Sequence, residues 1–311
     1  MAEAAEQLTL AGTQQNQYWR ERALAYMRDN NITQAAFAAA LGFSNSSGLN
    51  QYLKGTYKSP ARFEQKLQEF FNISEAAEQL HGTPDYVPTS ISEAVYKTIR
   101  SAHLKGGLAV ECGDAGIGKT KAVQKYAADF PNNAVVVTVN PVFSSISSFL
   151  KLLCRTLHIA VARKDDMWFN VASYFAGGRK VLIIDEAQHL PVKTIDMIRS
   201  ISDYVPSMGV VFVGNRSVVD NMGGRLEAAF AQIQSRTKQS KLRMTTQITI
   251  EDIRKLFPDL PSEQEQALML AVAQSKQGLR GASNLYSNAC DNEDITYDGL
   301  IQMMKFMEMG I

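Results

Sequence analysis

The sequence predicts an α/β fold: a parallel sheet covered by helices on both faces, closed by a C-terminal helical lid and preceded by a small all-helical module. Three observations predict it. Short β-branched runs alternate with helix-like segments after about residue 91, and strands apolar throughout belong to sheets buried on both sides. The stretch Gly113-Asp114-Ala115-Gly116-Ile117-Gly118-Lys119-Thr120 fills G-x-x-x-x-G-K-[ST] between an expected strand and an expected helix. Beyond about Thr249 the β-branched runs stop and only helical spacing continues.

The first 72 residues form the helical module. Thr33 is placed to cap a helix that ends at a turn on Gly42, and Ser44 to cap a second helix that Gly55 ends. Leu49 and Leu53, four apart, supply the second helix's buried face. This is helix-turn-helix order, and it resembles lambda-repressor-type domains. In such a module the second helix enters the major groove. Asn50 and Gln51 would then read base edges, and Lys54, Lys58 and Arg62 would meet phosphates. Residues 42–63 hold those three cations and no acid.

Residues 73–90 are the linker, with Gly82, Pro84 and Pro88 breaking helical continuity. Residues 91–248 form the α/β core, with strands expected at Leu108–Glu111, Ala134–Val139, Lys180–Ile184 and Val210–Val213. Residues 249–311 form the lid, with helices expected at Glu251–Phe257, Ser262–Gln274, Leu279–Cys290 and Tyr297–Met307.

The length, 311 residues, fits about two domains. An apolar fraction of 45% supports buried cores and argues against global disorder. With 32 Lys and Arg against 31 Asp and Glu, the net charge of +1 gives no long-range field, so nucleic-acid contact must come from local patches. Cys112, Cys154 and Cys290 include no C-x-x-C pair, which argues against a disulfide framework or structural zinc. No basic start leads into an apolar stretch, and the apolar runs are too short to span a bilayer. A cytoplasmic protein without membrane attachment is expected.

The loop from Gly113 to Thr120 is the candidate phosphate site. Glycines let successive N–H groups point at phosphate oxygens, and the following helix N-terminus adds donors and positive potential. Lys119 would neutralise the β- and γ-phosphates, and Thr120 would offer its hydroxyl to Mg²⁺. The apolar run Val181 to Ile184 ends in Asp185 and Glu186. Asp185 is placed to hold Mg²⁺ and Glu186 to orient and deprotonate an attacking water. Asn215, just past the next strand, is placed to hydrogen-bond the γ-phosphate and that water. Arg236, in Ser235-Arg236, and Arg280, opening a lid helix, carry planar permanent cations suited to phosphoryl charge.

This order of phosphate loop, Asp-Glu strand, Asn, Ser-Arg and Gly-x-Arg resembles the AAA+ ATPase family. Over nearly its full length, through GDAGIGKT, VLIIDEAQHL, GNRSV and FAQIQSRT, the chain is similar to that family's phage transposition branch, the ATP-dependent target-DNA activators. The resemblance implies ATP and Mg²⁺ as ligands, with Lys119 and Thr120 as the Walker A pair, and Asp185 and Glu186 as the Walker B metal residue and base. Asn215 becomes sensor one. Arg236 becomes the arginine finger reaching a neighbouring subunit's ATP, with Arg225 as its rival. Arg280 becomes sensor two. A homo-oligomeric filament or ring on double-stranded DNA and a transposase partner are likewise implied.

Two core patches are candidates for largely non-specific DNA contact: Arg163 with Lys164 in a loop between helices, and Lys238, Lys241 and Arg243 following Arg236. Two other functions fit the same motifs, an ATP-switched transcription regulator and a helicase loader. A membrane-associated secretion ATPase is disfavoured.

Overall fold

The computed structural model describes residues 2–79, 86–215, 218 and 237–310. The chain divides into two compact units, Met1–His81 and Gly82–Ile311.

The first unit contains helices α1 (Ala2–Asp29), α2 (Gln34–Ala40), α3 (Ser47–Leu53) and α4 (Ala61–Gln79). Its core comes from residues spaced four apart: Trp19, Ala23 and Met27 on α1, and Phe63, Leu67 and Phe71 on α4. That spacing puts each triplet on one face of its helix. Phe63 stacks on Phe43 and Tyr52 and meets Tyr57 edge-on, which fastens α4 to α3 and the turn before it. Thr33 caps α2 as expected, its hydroxyl accepting the N–H of Ala36 at 3.2 Å.

Two expectations need correction here. Ser44 does not cap the second helix. Helix α3 starts at Ser47, after Ser46, and Asn45 Oδ1 accepts the Ser47 N–H at 3.2 Å. The later start turns Leu49 and Tyr52 into the core and leaves Leu53 half-buried. Helix α4 also runs to Gln79, seven residues into the stretch read as linker, because nothing between Asn72 and Gln79 interrupts helical hydrogen bonding.

The second unit begins with α5 (Ser90–Lys105), then β1 (Gly107–Gly113), α6 (Lys119–Asp129), β2 (Ala134–Thr138), α7 (Ile146–Thr156) and α8 (Lys164–Ala176). Strand β3 (Val181–Asp185), α9 (Val192–Tyr204), β4 (Gly209–Gly214) and β5 (Thr237–Arg243) follow. Four lid helices close the chain: Ile250–Leu256, Glu263–Gln274, Gly278–Asp291 and Tyr297–Phe306. The sheet order is β2-β3-β4-β1-β5 and every pairing is parallel.

Alternation inside the apolar strands feeds two cores. Ala109, Ile183, Val211 and Val213 join α5, α6 and the lid on one face. Leu108, Val110, Leu182, Ile184, Val210 and Phe212 join α7, α8 and α9 on the other. Among the described residues no helix is long and apolar enough to cross a membrane.

The fifth strand was not expected. Its sequence, Thr237-Lys-Gln-Ser-Lys-Leu-Arg243, carries no apolar run because it is an edge strand, where lysines are tolerated and discourage further pairing. It aligns Lys241 with Glu111 and Arg243 with Gly113. Glu111 is fully buried in the sheet. Arg243 Nε and Nη2 donate to its two carboxylate oxygens, each at 3.0 Å, and Thr98 Oγ1 also donates to it. This corrects the reading of Arg243 as a DNA contact: its guanidinium is committed to a buried carboxylate.

Candidate nucleotide site

The carboxyl ends of β1, β3 and β4 lie side by side, with Cys112 opposite Gly214 and Ile184 opposite Phe212. Ligands of parallel α/β sheets bind at such ends. Here they open onto a cavity of about 440 Å³. Ala115 to Lys121, Asp185, Glu186, Asn215 and Arg280 line it, with Val87, Leu256 and Leu279 on its apolar side.

The phosphate loop is curled by two left-handed residues, Gly116 at φ +71° and Gly118 at φ +95°, conformations that L side chains rarely adopt. Ile117 buries its side chain completely, so only its backbone can serve a ligand. Gly113 and Asp114 differ from expectation, since neither lines the cavity. They fasten the loop instead. The Asp114 N–H donates to the Arg243 carbonyl at 3.0 Å, and its carboxylate accepts the Thr245 N–H at 2.8 Å. Lys119 Nζ donates to the carbonyls of Gly113 at 3.0 Å and Asp114 at 2.6 Å. Burial pushes the Lys119 ammonium pKa down, although Asp185 and Glu186 pull it up.

Thr120 Oγ1 donates to Asp185 Oδ2 at 2.9 Å. Asp185 is the last residue of β3 and is buried. Burial pushes its carboxyl above the usual range, against the hydrogen bonds from Thr120 and the Glu186 N–H. Glu186 is exposed and adopts a left-handed backbone, φ +57° and ψ +37°, which turns the chain sharply off the strand. The turn brings in a residue that sequence reasoning passed over. Gln188 donates to the Glu186 carboxylate and accepts the Asn215 N–H at 3.2 Å. It stands inside the stretch VLIIDEAQHL, but nothing in the sequence assigned it a role.

The lid docks on the loop through main-chain atoms. The Arg280 N–H donates to the Gly116 carbonyl at 3.1 Å. Gly278 is required by this approach: it sits at φ +64°, and a Cβ would lie 2.8 Å from the Ala115 carbonyl oxygen. The Arg280 backbone is thereby held beside the loop, and the residue lines the cavity.

A second tie joins the lid to the start of α5. Asp252, 2% exposed, accepts the Ser90 N–H at 2.6 Å, the Ser90 hydroxyl at 2.7 Å, and the Thr249 N–H and hydroxyl at 3.0 Å each. The pattern Thr249-x-x-Asp252 is a capping signature legible in the sequence; the partner 162 residues away is not. Burial raises the Asp252 pKa, but the Ser90 and Thr249 bonds outweigh it and hold the carboxyl below its usual value. A depressed carboxylate stabilises the fold above its unfolded pKa of about 3.9 and loses that contribution as pH falls through the folded value. The melting-temperature gap between wild type and Asp252→Asn should therefore be full at pH 6 and narrow below about pH 4. A gap that stays constant to pH 3 would rule this out.

The remaining candidates are dispersed. In the first unit Gln51, Lys54, Lys58 and Arg62 are exposed and Asn50 is half-buried; Asn50 and Gln51 are on α3, Lys54 and Lys58 follow it, and Arg62 is in the first turn of α4. Arg62 lies over the Phe43 ring at 5.7 Å. In the second unit Arg163 ends the connection between α7 and α8, as its extended N-cap, whereas Lys164 is not in that loop but is the first residue of α8. Asp165 and Asp166 follow at once and dilute the positive potential. Lys241 is exposed on β5. Arg225, Arg236 and the side chain of Lys238 lie outside the described residues.

The AAA domain family matches residues 103–222. The Mu-like prophage FluMu DNA transposition protein B of Haemophilus influenzae is 30% identical over 274 residues, covering 86% of this chain and 94% of that protein. The ATP-dependent target DNA activator B of Escherichia phage Mu is 28% identical over 264 residues, covering 83% of each. Among solved structures, the RuvB Holliday junction branch migration motor of Thermotoga maritima is similar at 17% identity, with a TM-score of 0.46 over 71% of this chain and 69% of that one.

Proposed function

The chain belongs to the family of the phage-type DNA transposition protein B, and from that premise we propose that it is an ATP-dependent DNA-binding ATPase that presents target DNA to a transposase. The observation that carries this reading is the convergence of Lys119, Thr120, Asp185, Glu186, Asn215 and Arg280 on one cavity. Its apolar side, Val87, Leu256 and Leu279, suits a flat base, and its curled loop suits phosphates.

Thr120 and Asp185 present a hydroxyl and a carboxylate oxygen 2.9 Å apart, the hard donors that Mg²⁺ takes, and would hold it. Once bound, Mg²⁺ offsets phosphate charge. The chain's own residues do the rest. Lys119 leaves the Gly113 and Asp114 carbonyls for the β- and γ-phosphates. Glu186 accepts the proton of the attacking water, which Asn215 helps to orient. Arg280, fixed to the loop by its backbone, senses the nucleotide from the lid.

Assembly follows the same logic. Protomers form a filament or ring on double-stranded DNA, with Arg236 of one reaching the ATP of the next. A ligand that binds the assembled state more tightly stabilises it by linkage. Hydrolysis removes the γ-phosphate bridge, and the assembly releases DNA, stimulated by the transposase in the host cytoplasm. DNA contacts are assigned to Asn50, Gln51, Lys54, Lys58, Arg62, Arg163, Lys164, Lys238 and Lys241, mainly with phosphates.

The test is DNA retention with ATP, with ADP and without nucleotide. Retention should be strongest with ATP and fall steeply with salt. Glu186→Gln should slow turnover about 10²–10⁴-fold and prolong the DNA-bound state. Equal retention in all three conditions would sink the switch, and normal turnover in the variant would remove Glu186 from its role.

A further inference from the structure

The Gln188 side chain joins the Glu186 carboxylate to the main chain of Asn215, and the join has a defined polarity. Gln188 sits in the turn Ala187–His189. Its Nε2 donates to Oε2 of Glu186, and its Oε1 accepts the N–H of Asn215 at 3.2 Å. The amide cannot be reversed: a main-chain N–H only donates and an ionised carboxylate only accepts, so oxygen faces Asn215 and nitrogen faces Glu186. Gly214 leaves the space for this. A Cβ there would lie 2.5 Å from Gln188 Oε1 and 2.5 Å from Val218 Cγ2.

The residue at the other end of the tether is strained. A non-glycine residue in the left-handed region persists when its surroundings hold it there, and Glu186 is such a residue. On the metal side of the cavity, Thr120 bonds to Asp185, and the side-chain bond of Glu186 runs instead to Gln188. A general base must come within hydrogen-bond reach of the proton it takes. Glu186 cannot swing toward a water at the phosphate without giving up the amide.

We propose that Gln188 is a positioning residue that clamps the Glu186 carboxylate to the end of β4 at Asn215 and holds the base back until Asn215 engages the γ-phosphate. The clamp ends on the main chain of Asn215, so a small shift of that residue lengthens a bond already at 3.2 Å and loosens the amide's hold on Glu186. The proposal rests on the ATPase reading above and adds to it a restraint on basal turnover.

The experiment is steady-state ATP turnover of the full chain without DNA, for wild type, Gln188→Met, Gln188→Glu and Glu186→Gln. Gln188→Met keeps the length and loses both bonds. Gln188→Glu keeps an acceptor for the Asn215 N–H but replaces the donor with a charge that repels Glu186. Both should raise kcat about tenfold, the worth of one charge-assisted hydrogen bond, with KM for ATP unchanged within twofold. If Gln188→Met folds poorly, Gln188→Glu alone decides. A Gln188→Glu kcat equal to or below wild type would overturn the clamp and leave Gln188 as a support for its loop. Absent turnover in wild type would instead overturn the ATPase reading, and the clamp with it.

Discussion

Replacing Lys119 with Ala should weaken ATP binding at least 100-fold, as read by calorimetry, and abolish turnover. Two charge-assisted hydrogen bonds to phosphate oxygens, each worth roughly 1.5–3 kcal/mol, set that scale. The loop should keep its shape in the variant. Asp114, bonded to the Arg243 carbonyl and the Thr245 N–H, fastens it to β5 and the following turn, and Arg280 fastens it to the lid. Lys119 contributes only two bonds to carbonyls. The variant should therefore melt close to wild type while failing to bind. An Ala variant that binds ATP with wild-type affinity would dismiss the cavity as the nucleotide site.

Arg243→Ala should lower the melting temperature by roughly 6–20 °C. Removing one partner of a buried ion pair costs about 3–5 kcal/mol, and one kcal/mol moves the midpoint of a domain this size by about 2–4 °C. The carboxylate left behind, Glu111, has no exposure to solvent and would keep only Thr98. Arg243→Lys should recover part of the loss, since an ammonium restores the charge without the two-pronged geometry. Lys241→Ala, two residues earlier on the exposed edge, should leave the melting temperature alone and flatten the salt dependence of DNA binding by about one unit of slope. If Arg243→Ala melts like wild type and flattens that slope, the arginine belongs to the DNA surface after all.

The contrast between these two cations shows where sequence stops being readable. Gly113 to Thr120 and Val181 to Glu186 announce themselves because their chemistry is local: a loop conformation, a strand end, a spacing. The lid helices were legible to within about a residue for the same reason, with Thr249, Ser262 and Thr296 as their caps. Strand β5 was not, because an edge strand half open to water needs no apolar alternation. The Glu111–Arg243 pair left half a trace. A carboxylate inside the apolar run Leu108–Cys112 demands a partner, but nothing in the sequence says the partner is 132 residues away. Gln188 left none, since its contact with Glu186 depends on a left-handed backbone at Glu186 and a missing Cβ at Gly214. The start of α3 was misjudged because Ser44, Asn45, Ser46 and Ser47 all suit a helix beginning, and packing of Tyr52 and Leu49 chose among them.

The docking of Gly278 and Arg280 onto Ala115 and Gly116 has a consequence for how this family can vary. Because the latch is peptide to peptide, drift at position 280 can swap or erase its charge without unfastening anything. Position 278 has no such freedom, since even one methyl group would run into a carbonyl oxygen. Divergent lineages can thus retune or lose the charge at position 280 while inheriting the same closed posture, and the glycine, rather than the arginine, is the residue they should share.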